Sequence, residues 1–563
     1  MKNYVIPNTQ EQTKAYELVA IAKQNIATSS SKEEMKKVAE EFGSLGLTKW
    51  QALSLCFNYY QNDKNTPVSE KMSIFKEGVL NPKRNENCSE VLKTKEAKPF
   101  WEIDTKKGRR NIIIETSDIV GLLTELGYYK FNKSKTGYVK LEGKILSEVD
   151  ASDMQESVKS YLHKIDPRKL KKIKSHKEVW DFMINKKYLF SNTTIFCLPV
   201  LSESFHRDKK DEINLYLKYG YLLITSERIQ YKSYVEMDGV VWKESIVKAP
   251  FSALNYSVSE YEIFLGNTQD NDKKRMDNTM KVIGYLMHRY NFHSKMKTAC
   301  FTDELISGEA NGGTGKNLTL ELLGYLRSMV TINGKKLNLR NRFAFQLVED
   351  YNDIVLLNDV QRNLSLEDLY SDITEGIEVE KKGLNATSKN RETTVKFAIT
   401  ANYRKLITSG STRRRVVDVF YSNHYNDTHS VADEFNKEFF VDFNEEEWNQ
   451  TITFAIRSAQ LYLKEGLPEN KSIEEESLEL NTSKEFVEFM DVIVSKEVKI
   501  NRSELRVKFE KKTGFKMGSK EFCKWAEKYF KVKRIITKGF ENSNGKTYAN
   551  KRGSYFYEIV ANN

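Results

Sequence analysis

A glycine-rich stretch between an apolar run and a helical pattern constrains this chain more than any other feature. The stretch, residues Gly308–Asn317 (GEANGGTGKN), follows the strand-like run Thr298–Thr302 and precedes a helical pattern over Leu318–Met329. Glycines let backbone N–H groups turn inward around phosphate oxygens, a following helix presents its positive end, and Lys316 adds a point charge. This glycine-rich loop is therefore predicted to bind phosphate. The predicted nucleotide contacts are Gly312, Gly313, Thr314, Gly315, Lys316 and Asn317.

The match to the phosphate-loop pattern is imperfect. Ala310 stands six residues before Lys316, where the pattern has glycine, and Asn317 stands where the pattern has Ser or Thr. The alternative interpretation is a glycine-rich surface turn.

Three later segments favour the nucleotide site. Asp353–Asp359 is a buried-strand run that ends in an acid, which could hold Mg²⁺ and orient a water. Val395–Asn402 is a second strand pattern, and its terminal amide could sense the γ-phosphate. Ser411–Arg415 is a basic cluster suited to an arginine finger. Each could separately be a core strand or a solvated charge run, but together they predict a nucleoside triphosphatase.

The order of these segments resembles that of superfamily 3 helicases, specifically the phage, plasmid and poxvirus-type primase-helicases. The motif-level resemblance covers about residues 280–425. It implies a phosphate loop at 312–317, an acidic strand at 356–359, a basic hairpin from Glu375 and a strand ending at Asn402. One departure is that the acidic strand ends in Asn358 and Asp359 rather than in two acids. An amide can ligate or position but cannot act as a carboxylate base.

These segments together predict an ATP and Mg²⁺ site. Lys316 would bridge the β- and γ-phosphates, Asn317 and Asp359 would hold Mg²⁺, and Asn402 would hold the attacking water or the γ-phosphate. The predicted catalytic residues are Lys316, Asn358, Asp359, Asn402, Arg413, Arg414 and Arg415. One of the arginines would reach the nucleotide of a neighbouring subunit, so the motif predicts a homo-oligomer. The resemblance implies a hexameric ring.

The segment Glu375–Thr394 carries basic residues around Gly383. The resemblance implies a β-hairpin that lines a central pore and tracks the backbone of single-stranded DNA. Lys389 and Arg391 are predicted at its tip, with Lys381 and Lys382 behind. The alternative is an ordinary charged hairpin.

The C-terminal end predicts a second DNA-binding module. From Asn481 onward the chain has about 19 Lys and Arg against about 10 Asp and Glu, so much of the net charge of +11 lies there. Helical patterns at 485–494, 503–513 and 519–530 are followed by a hairpin pattern, which is a winged-helix arrangement. Lys520, Lys524 and Lys528 lie at helical spacing on the third helix and would enter a major groove; the alternative is a solvated face.

Composition excludes other classes of protein. A chain of 563 residues with 39% hydrophobic and 30% charged residues is typical of soluble multidomain proteins. No apolar run reaches membrane-span length and the N-terminus lacks a signal-peptide core, which predicts a cytoplasmic protein. The resemblance to superfamily 3 helicases implies a bacterial or phage-infected cell. The five cysteines are scattered, and with only 7 histidines a zinc or histidine-based metal site is not expected.

The predicted fold class is multidomain α/β and α+β, with a P-loop, AAA+-like ATPase core whose strands are parallel. Residues 222–231 are predicted as one strand within the region before the core. The predicted domains are a helical N-terminal module (1–62), an α+β domain (63–165), a second α+β domain (166–274), the ATPase core (275–425), a helical lid and linker (426–480) and the winged-helix domain (481–563).

The predicted function is that of a ring-forming, ATP-dependent helicase that replicates a phage, plasmid or mobile element on single-stranded and forked DNA. Two alternatives remain: an origin-binding initiator or ATPase switch that does not unwind strands, and a scaffold partner of a separate primase or polymerase. Glu102 and Asp104 would share a strand face, but no third acid follows in strand context. An internal primase centre is therefore not predicted.

Overall fold

The computed structural model describes two compact units, residues 1–405 with 415–468 and residues 406–414 with 469–563. The described residues are 36, 39–40, 72–77, 97–105, 111–131, 136–170, 173–292, 296–304, 313–361, 364–382, 387–388, 394–402, 410–468, 478, 482–495, 499–533, 535–538, 548–549 and 555–562. The helical module predicted for residues 1–62 lies almost entirely outside them.

The N-terminal part of the first unit is α+β. Its first strands are β1 (Glu102–Asp104), β2 (Asn111–Ile113), β3 (Tyr128–Lys130), β4 (Tyr138–Glu142) and β5 (Ile145–Glu148). Its helices are α1 (Thr116–Glu125), α2 (Ala151–Lys164), α3 (His176–Asn185) and α4 (Asn192–Ile195). Strands β1 and β2 pair with each other, and β3, β4 and β5 share a sheet with the later strand β9 (Val241–Trp242). Helix α2 begins at Asp150, which forms a capping box with Asp153.

A buried antiparallel sheet follows in the chain. It consists of β6 (Ile213–Leu217), β7 (Gly220–Ile224) and β8 (Ile229–Lys232). The prediction of a single strand over 222–231 is wrong, because residues Thr225–Arg228 form a turn. The Thr225 N–H donates to the Arg228 carbonyl at 2.9 Å, and the Arg228 N–H donates to Thr225 Oγ1 at 3.2 Å.

The first unit also contains a five-stranded, all-parallel sheet, so the chain is a mixed α/β protein. The strands are β10 (Thr298–Asp303), β11 (Met329–Asn333), β12 (Ile354–Asn358), β15 (Lys396–Ala401) and β16 (Val416–Tyr421). Their order across the sheet is β11-β12-β15-β10-β16. All six residues of β10 and all six of β15 are buried, as expected of parallel strands covered on both faces. Strands β13 (Glu378–Val379) and β14 (Thr387–Ser388) form a separate antiparallel pair.

Helices connect and cover these strands. They are α5 (Glu260–Thr268), α6 (Lys273–Met287), α7 (Lys316–Leu326), α8 (Tyr370–Thr374), α10 (Val431–Phe435) and α11 (Glu445–Glu465). The intervening helix α9 (Gly410–Arg415) belongs to the second unit except for Arg415. Short 3₁₀ helices occupy Pro167–Lys169, Lys187–Phe190, Tyr234–Glu236, Lys243–Ser245 and Leu366–Leu369. Helix α11 begins at Asn444, whose side chain accepts from the Glu447 N–H, and its buried face packs along α6.

Buried cations close the amino edge of the parallel sheet. The Arg327 side chain, just before β11, donates to the carbonyls of Met287 at 2.7 Å and Asn214 at 2.9 Å. Lys396, the first residue of β15, donates from Nζ to the Tyr285 carbonyl at 2.6 Å, and burial lowers its pKa to about 7. These bonds join α6 and β6 to the amino ends of the sheet strands.

The second unit combines three helices with an antiparallel sheet. The helices are α12 (Lys484–Val494), α13 (Arg502–Thr513) and α14 (Ser519–Val532). The strands are β17 (Lys499–Asn501), β18 (Ile535–Lys538), β19 (Tyr548–Ala549) and β20 (Tyr555–Asn562). Strand β20 pairs with the other three strands. The core is largely aromatic and includes Phe486, Phe509, Phe522, Tyr529 and Phe530.

In the part of the chain that the structure describes, no helix has both the length and the apolar character needed to cross a membrane.

Substituting Gly284 in α6 tests the packing of α6 on α11. A Cβ atom at this position would lie 2.4 Å from the Ser458 carbonyl oxygen and 2.9 Å from the Ala459 Cα atom. We expect Gly284→Ala to lower the free energy of unfolding by about 1–3 kcal/mol, as overpacking does, although alanine is the better helix former. The measurement is urea unfolding.

Gly121 in α1 supplies the matched control, because a Cβ atom there meets nothing within 4 Å. Gly121→Ala should therefore raise the free energy of unfolding by about 0.5–1 kcal/mol. Equal stabilisation by both alanines would contradict the close packing of α6 on α11.

Candidate functional site

The glycine-rich loop joins the buried strand β10 to helix α7. Residues 305–312 lie outside the described residues, and the described part of the loop begins at Gly313. Gly313 and Gly315 have φ values of 89° and 93°, a region that glycine adopts readily and other residues rarely. A Cβ atom on Gly315 would also lie 2.6 Å from the Phe264 ring. Both the conformation and the close packing therefore require glycine at 315.

Lys316 is the first residue of α7, and its side chain is buried in a small polar cluster. Its Nζ donates to Asp303 Oδ1 at 2.5 Å and to Thr314 Oγ1 at 3.0 Å. The Thr314 hydroxyl in turn donates to Asp303 Oδ1 at 2.6 Å. The Lys316 and Asp303 side chains are only 7% and 9% exposed. This is a buried ion pair, in which loss of either partner would leave an uncompensated charge.

Asp303 is the residue of this cluster that the sequence interpretation missed. It is the last residue of β10, and its second oxygen, Oδ2, is buried with no hydrogen-bond partner among the described residues. The available signal was an acid directly after the predicted strand Thr298–Thr302 and shortly before the glycine-rich loop. Because Lys316 carries one positive charge, a phosphate and the Asp303 carboxylate would compete for it.

The sheet order brings the ends of three strands to the same edge. Strand β15 lies beside β10, with Thr302 paired to Ala401, so Asp303 and Asn402 follow that pair on adjacent strands. Strand β12 lies on the other side of β15, and Asp359 follows it. Neighbouring strands are about 4.8 Å apart, so β12, which Asp359 follows, lies roughly 10 Å from β10. In open α/β sheets, ligands bind at the carboxyl ends of the strands, where the strand order changes direction.

Asn358 and Asp359 have different surroundings. The Thr400 hydroxyl donates to Asn358 Oδ1 at 2.7 Å and accepts from the Asp359 N–H at 2.7 Å. Asn358 therefore ties β12 to β15. Asp359 has a φ of 55°, which Asp tolerates better than most residues. Its Oδ2 lies 2.6 Å from Lys335 Nζ, and its side chain is 35% exposed.

Asn317 is exposed on the first turn of α7. Its side-chain oxygen and the carboxylate oxygens of Asp359 are donors of the kind that Mg²⁺ prefers. The chemistry of this donor pair therefore fits the predicted cation. The Asp303 carboxylate adds a third oxygen donor at the same edge of the sheet.

Helix α9 carries all three predicted arginines. Arg414 is exposed, whereas Arg413 and Arg415 are half-buried. The Arg415 guanidinium lies 4.7 Å from the centre of the Tyr370 ring, which is a cation–π contact. Of the three, Arg414 is therefore the side chain most accessible to another molecule.

The β13–β14 pair lies within the predicted pore hairpin. Val379 pairs with Thr387, and the described lysines Lys381 and Lys382 follow β13 in the chain. Lys389 and Arg391, which were predicted at the tip, lie outside the described residues.

The two described lysines of this hairpin have different surroundings. Lys381 forms an ion pair with Glu349 and is only 20% exposed. Lys382 is exposed. Contact with DNA remains a prediction for both.

The predicted lysine stripe of the second unit lies on α14. Lys520, Lys524 and Lys528 are all exposed, while Phe522, Ala526 and Tyr529 form the buried face of the same helix. The three lysines therefore share a solvent-facing side of α14. Their contact with DNA remains a prediction.

No family model matches this chain, and no curated protein matches it. Among solved structures, an A-form apo structure of the NrS-1 C-terminal region is similar over 79% of this chain and 99% of that chain, at 13% identity and a TM-score of 0.34. An apo structure of the NrS-1 C-terminal region (305–718) is similar over 79% of this chain and 98% of that chain, at 14% identity and a TM-score of 0.34. Similarity at these TM-scores supports no inference about function.

Proposed function

We propose that this chain is an ATP-hydrolysing motor that translocates on single-stranded DNA, a ring-forming helicase for replication of a phage, plasmid or mobile element. One observation carries the proposal: a buried lysine opens the helix that follows a buried parallel strand and glycines with positive φ. ATP is the proposed nucleotide and Mg²⁺ the proposed cation.

The start of α7 suits a triphosphate on electrostatic grounds. The first backbone N–H groups of a helix lack intrahelical partners and carry partial positive charge, which favours anions. Lys316 adds a full positive charge at the same point. Since its side chain is nearly excluded from water, its interaction with a phosphate would be stronger than at an exposed site.

Asn317 and Asp359 are the proposed ligands of Mg²⁺, which would neutralise charge on the phosphates when bound. Asn402 is the proposed group that orients the attacking water, because its amide can donate to and accept from a water beside the γ-phosphate. Asn358 is engaged by Thr400, and Asp359, which pairs with Lys335, is the proposed carboxylate ligand of Mg²⁺ after β12.

Arg414 is the proposed arginine finger because it is the exposed member of its cluster. A finger that acts on a neighbouring nucleotide requires an assembly, and the resemblance to superfamily 3 helicases makes a hexameric ring the working expectation. Lys381 and Lys382, in the β13–β14 connection, are the proposed contacts to DNA in the pore.

The second unit is the proposed duplex- or fork-binding module. Its three helices followed by β18 and the β19–β20 pair resemble a winged helix, in which the third helix enters a major groove. Lys520, Lys524 and Lys528 would then contact phosphates.

A nucleotide-controlled switch that does not unwind strands is the second candidate. The Lys316–Asp303 ion pair favours it, because a phosphate would compete with the Asp303 carboxylate for the positive charge of Lys316. Binding would then be coupled to a rearrangement at the end of β10. Stimulation of ATPase by single-stranded DNA, with strand displacement on a fork, favours the motor. ATP binding without either favours the switch.

Lys316→Ala should reduce ATP turnover by about 10²–10³-fold, because it removes a preorganised charge aimed at the transferring phosphoryl group. Arg414→Ala should reduce turnover only in the assembled state. The measurement is phosphate release with and without single-stranded DNA.

Mixing the two variants tests action across a subunit boundary. A Lys316→Ala subunit still offers its Arg414, and an Arg414→Ala subunit still offers an intact Lys316. Mixed assemblies should therefore be more active than either variant alone. Full turnover by Lys316→Ala would refute the nucleotide site, and failure of mixing would refute the role of Arg414 only.

Asp303→Asn should tighten ATP binding in metal-free buffer by at least about 10-fold, which corresponds to roughly 1.4 kcal/mol. The substitution removes a buried negative charge that competes with phosphate for Lys316. The measurement is equilibrium binding of a fluorescent ATP analogue, with a thermal melt to verify folding.

Glu304→Gln is the matched control, because this neighbouring acid pairs with Arg275 at 3.0 Å rather than with Lys316. It should leave metal-free binding unchanged. If Asp303→Asn binds the ATP analogue no more tightly than the wild type does, Asp303 does not compete with phosphate for Lys316.

Replacing Lys520, Lys524 and Lys528 together by Ala should weaken binding to forked DNA and flatten its salt dependence. Losing three phosphate contacts lowers the slope of log K against log salt by about 2–3. The control is the triple Ala variant of Lys511, Lys512 and Lys516, three lysines that are also exposed. Their replacement removes the same amount of charge. Equal losses in both variants would mean that overall charge, not the α14 face, binds DNA.

A further inference from the structure

A cluster of ligand-type side chains lies away from the proposed nucleotide site, in the segment after β16. His424 and His429 flank a tight turn, and Glu434 lies in the short helix α10. His424 Nε2 is 3.0 Å from Glu434 Oε2, and His429 Nε2 is 3.1 Å from the same oxygen. The three ligand atoms all lie within 4.8 Å of one another.

The turn holds the two imidazoles in place. The Asn426 N–H donates to the His429 carbonyl at 3.0 Å, and the Asn426 side-chain oxygen accepts from the Thr428 N–H at 3.0 Å. The His429 ring stacks on Tyr425, with an interplanar angle of 13°. Tyr425 is itself buried in the core of the first unit. The backbone and the core therefore fix the side of the turn on which both rings lie.

The carboxylate is held by a separate group. The Asn267 side-chain amide, which is buried at the end of α5, donates to Glu434 Oε1 at 2.8 Å. This bond leaves Oε2 directed at the two imidazoles. A hydrogen bond that orients a ligating side chain from behind is what metal sites use to fix ligand geometry.

We propose that His424, His429 and Glu434 form a binding site for one divalent transition-metal ion, with Zn²⁺ as the preferred occupant. Two imidazoles and one carboxylate are a common ligand set for Zn²⁺, with Zn–N and Zn–O distances of about 2.0–2.2 Å. In a tetrahedral site such ligand atoms are separated by roughly 3.3 Å. The two histidine–glutamate pairs at 3.0 and 3.1 Å would move slightly apart, and the two imidazole nitrogens, which lie within 4.8 Å of each other, would adjust around the ion. A fourth position remains for a water or an external ligand.

The competing explanation is an ion-paired triad in which both histidines donate a proton to Glu434. The two states differ in chemistry, because a metal requires unprotonated Nε2 atoms on both rings. Metal binding would release those protons and replace two exposed hydrogen bonds by coordination bonds.

The bound metal would clip the segment after β16 to the core. Ser422, just after β16, donates its N–H to the Thr268 carbonyl at 2.9 Å. The metal would join His424 and His429 to Glu434, which the Asn267 amide already anchors to α5. The proposal does not depend on nucleotide binding, because neither Lys316 nor any strand-end residue takes part.

The test uses the full-length protein after removal of metals by a chelator. Zn²⁺ binding is measured by competition with a chromophoric chelator, and Co²⁺ serves as a spectroscopic probe of coordination geometry. We expect one site per chain, a tetrahedral Co²⁺ spectrum and a rise in melting temperature on addition of Zn²⁺. Lys316→Ala should bind Zn²⁺ like the wild type.

Substitutions distinguish residues that bind the metal from residues that only stabilise the turn. His429→Ala or Glu434→Gln should abolish the tetrahedral spectrum, and Asn267→Ala should weaken Zn²⁺ binding by about 10–100-fold as loss of an orienting partner does. His163→Ala, an exposed histidine on α2, is the control and should change nothing. Absence of a stoichiometric site in the wild type, or binding retained by His429→Ala and Glu434→Gln, would overturn the proposal.

Discussion

The parallel pairing of β10 on both sides is the constraint on which the arrangement of the first unit depends. This strand is wholly buried between β15 and β16, and every register pair on either side is parallel. Parallel neighbouring strands cannot be joined by tight turns. After each strand, a crossover connection must therefore bring the chain back to the amino edge of the sheet. As a result, the glycine-rich loop and the residues after β12 and β15 all emerge at one edge. The position of the candidate site therefore follows from strand direction.

Charged side chains have different partners at the two edges of the sheet. At the amino edge, Arg327 and Lys396 are buried with backbone carbonyls, and Arg289 pairs with Asp353 at 2.8 Å. These cations tie helix α6 to the strands, and Arg327 Nη2 is buried without a hydrogen-bond partner among the described residues. At the carboxyl edge, Asp303 Oδ2 is likewise buried without a partner among the described residues. Unsatisfied buried groups are costly, so each edge carries a polar atom that lowers stability unless a further partner satisfies it.

Much of the sheet was predictable from the sequence because fully buried strands read as continuous apolar runs. Thr298–Asp303, Ile354–Asn358 and Lys396–Ala401 lie within one or two residues of their predicted bounds. Strand β11 was missed because the helical pattern over Leu318–Met329 was extended past Arg327, where helix α7 has already ended. The β-branched residues Val330, Thr331 and Ile332 were the signal that could have identified it.

Contacts between distant segments were not predictable in the same way. In the sequence, Asp303 only follows a strand pattern. The fold brings it into contact with Lys316, which lies thirteen residues later in the chain. His424, His429 and Glu434 are unremarkable in a chain with few histidines, and only the turn at Asn426 and the amide of Asn267 make them converge. The register of the β13–β14 pair was also not predictable from the sequence, and this register determines that Lys381 and Lys382 follow β13. Sequence patterns predict elements; side-chain partners depend on tertiary packing.

If a nucleotide binds at the proposed site, the Lys316–Asp303 pair makes its binding a competition between phosphate and carboxylate. A buried ion pair contributes little net stability, but losing one partner costs about 3–5 kcal/mol because the remaining charge stays buried. A phosphate that takes Lys316 therefore leaves the Asp303 carboxylate needing a new positive partner or access to water. In the proposed complex, the cation that accompanies a triphosphate would supply that positive charge. A change at Asp303 would involve the end of β10, and β15 and β16 both pair with that strand. The order of the sheet would then connect the proposed phosphate site to the strands that precede Asn402 and follow Arg415.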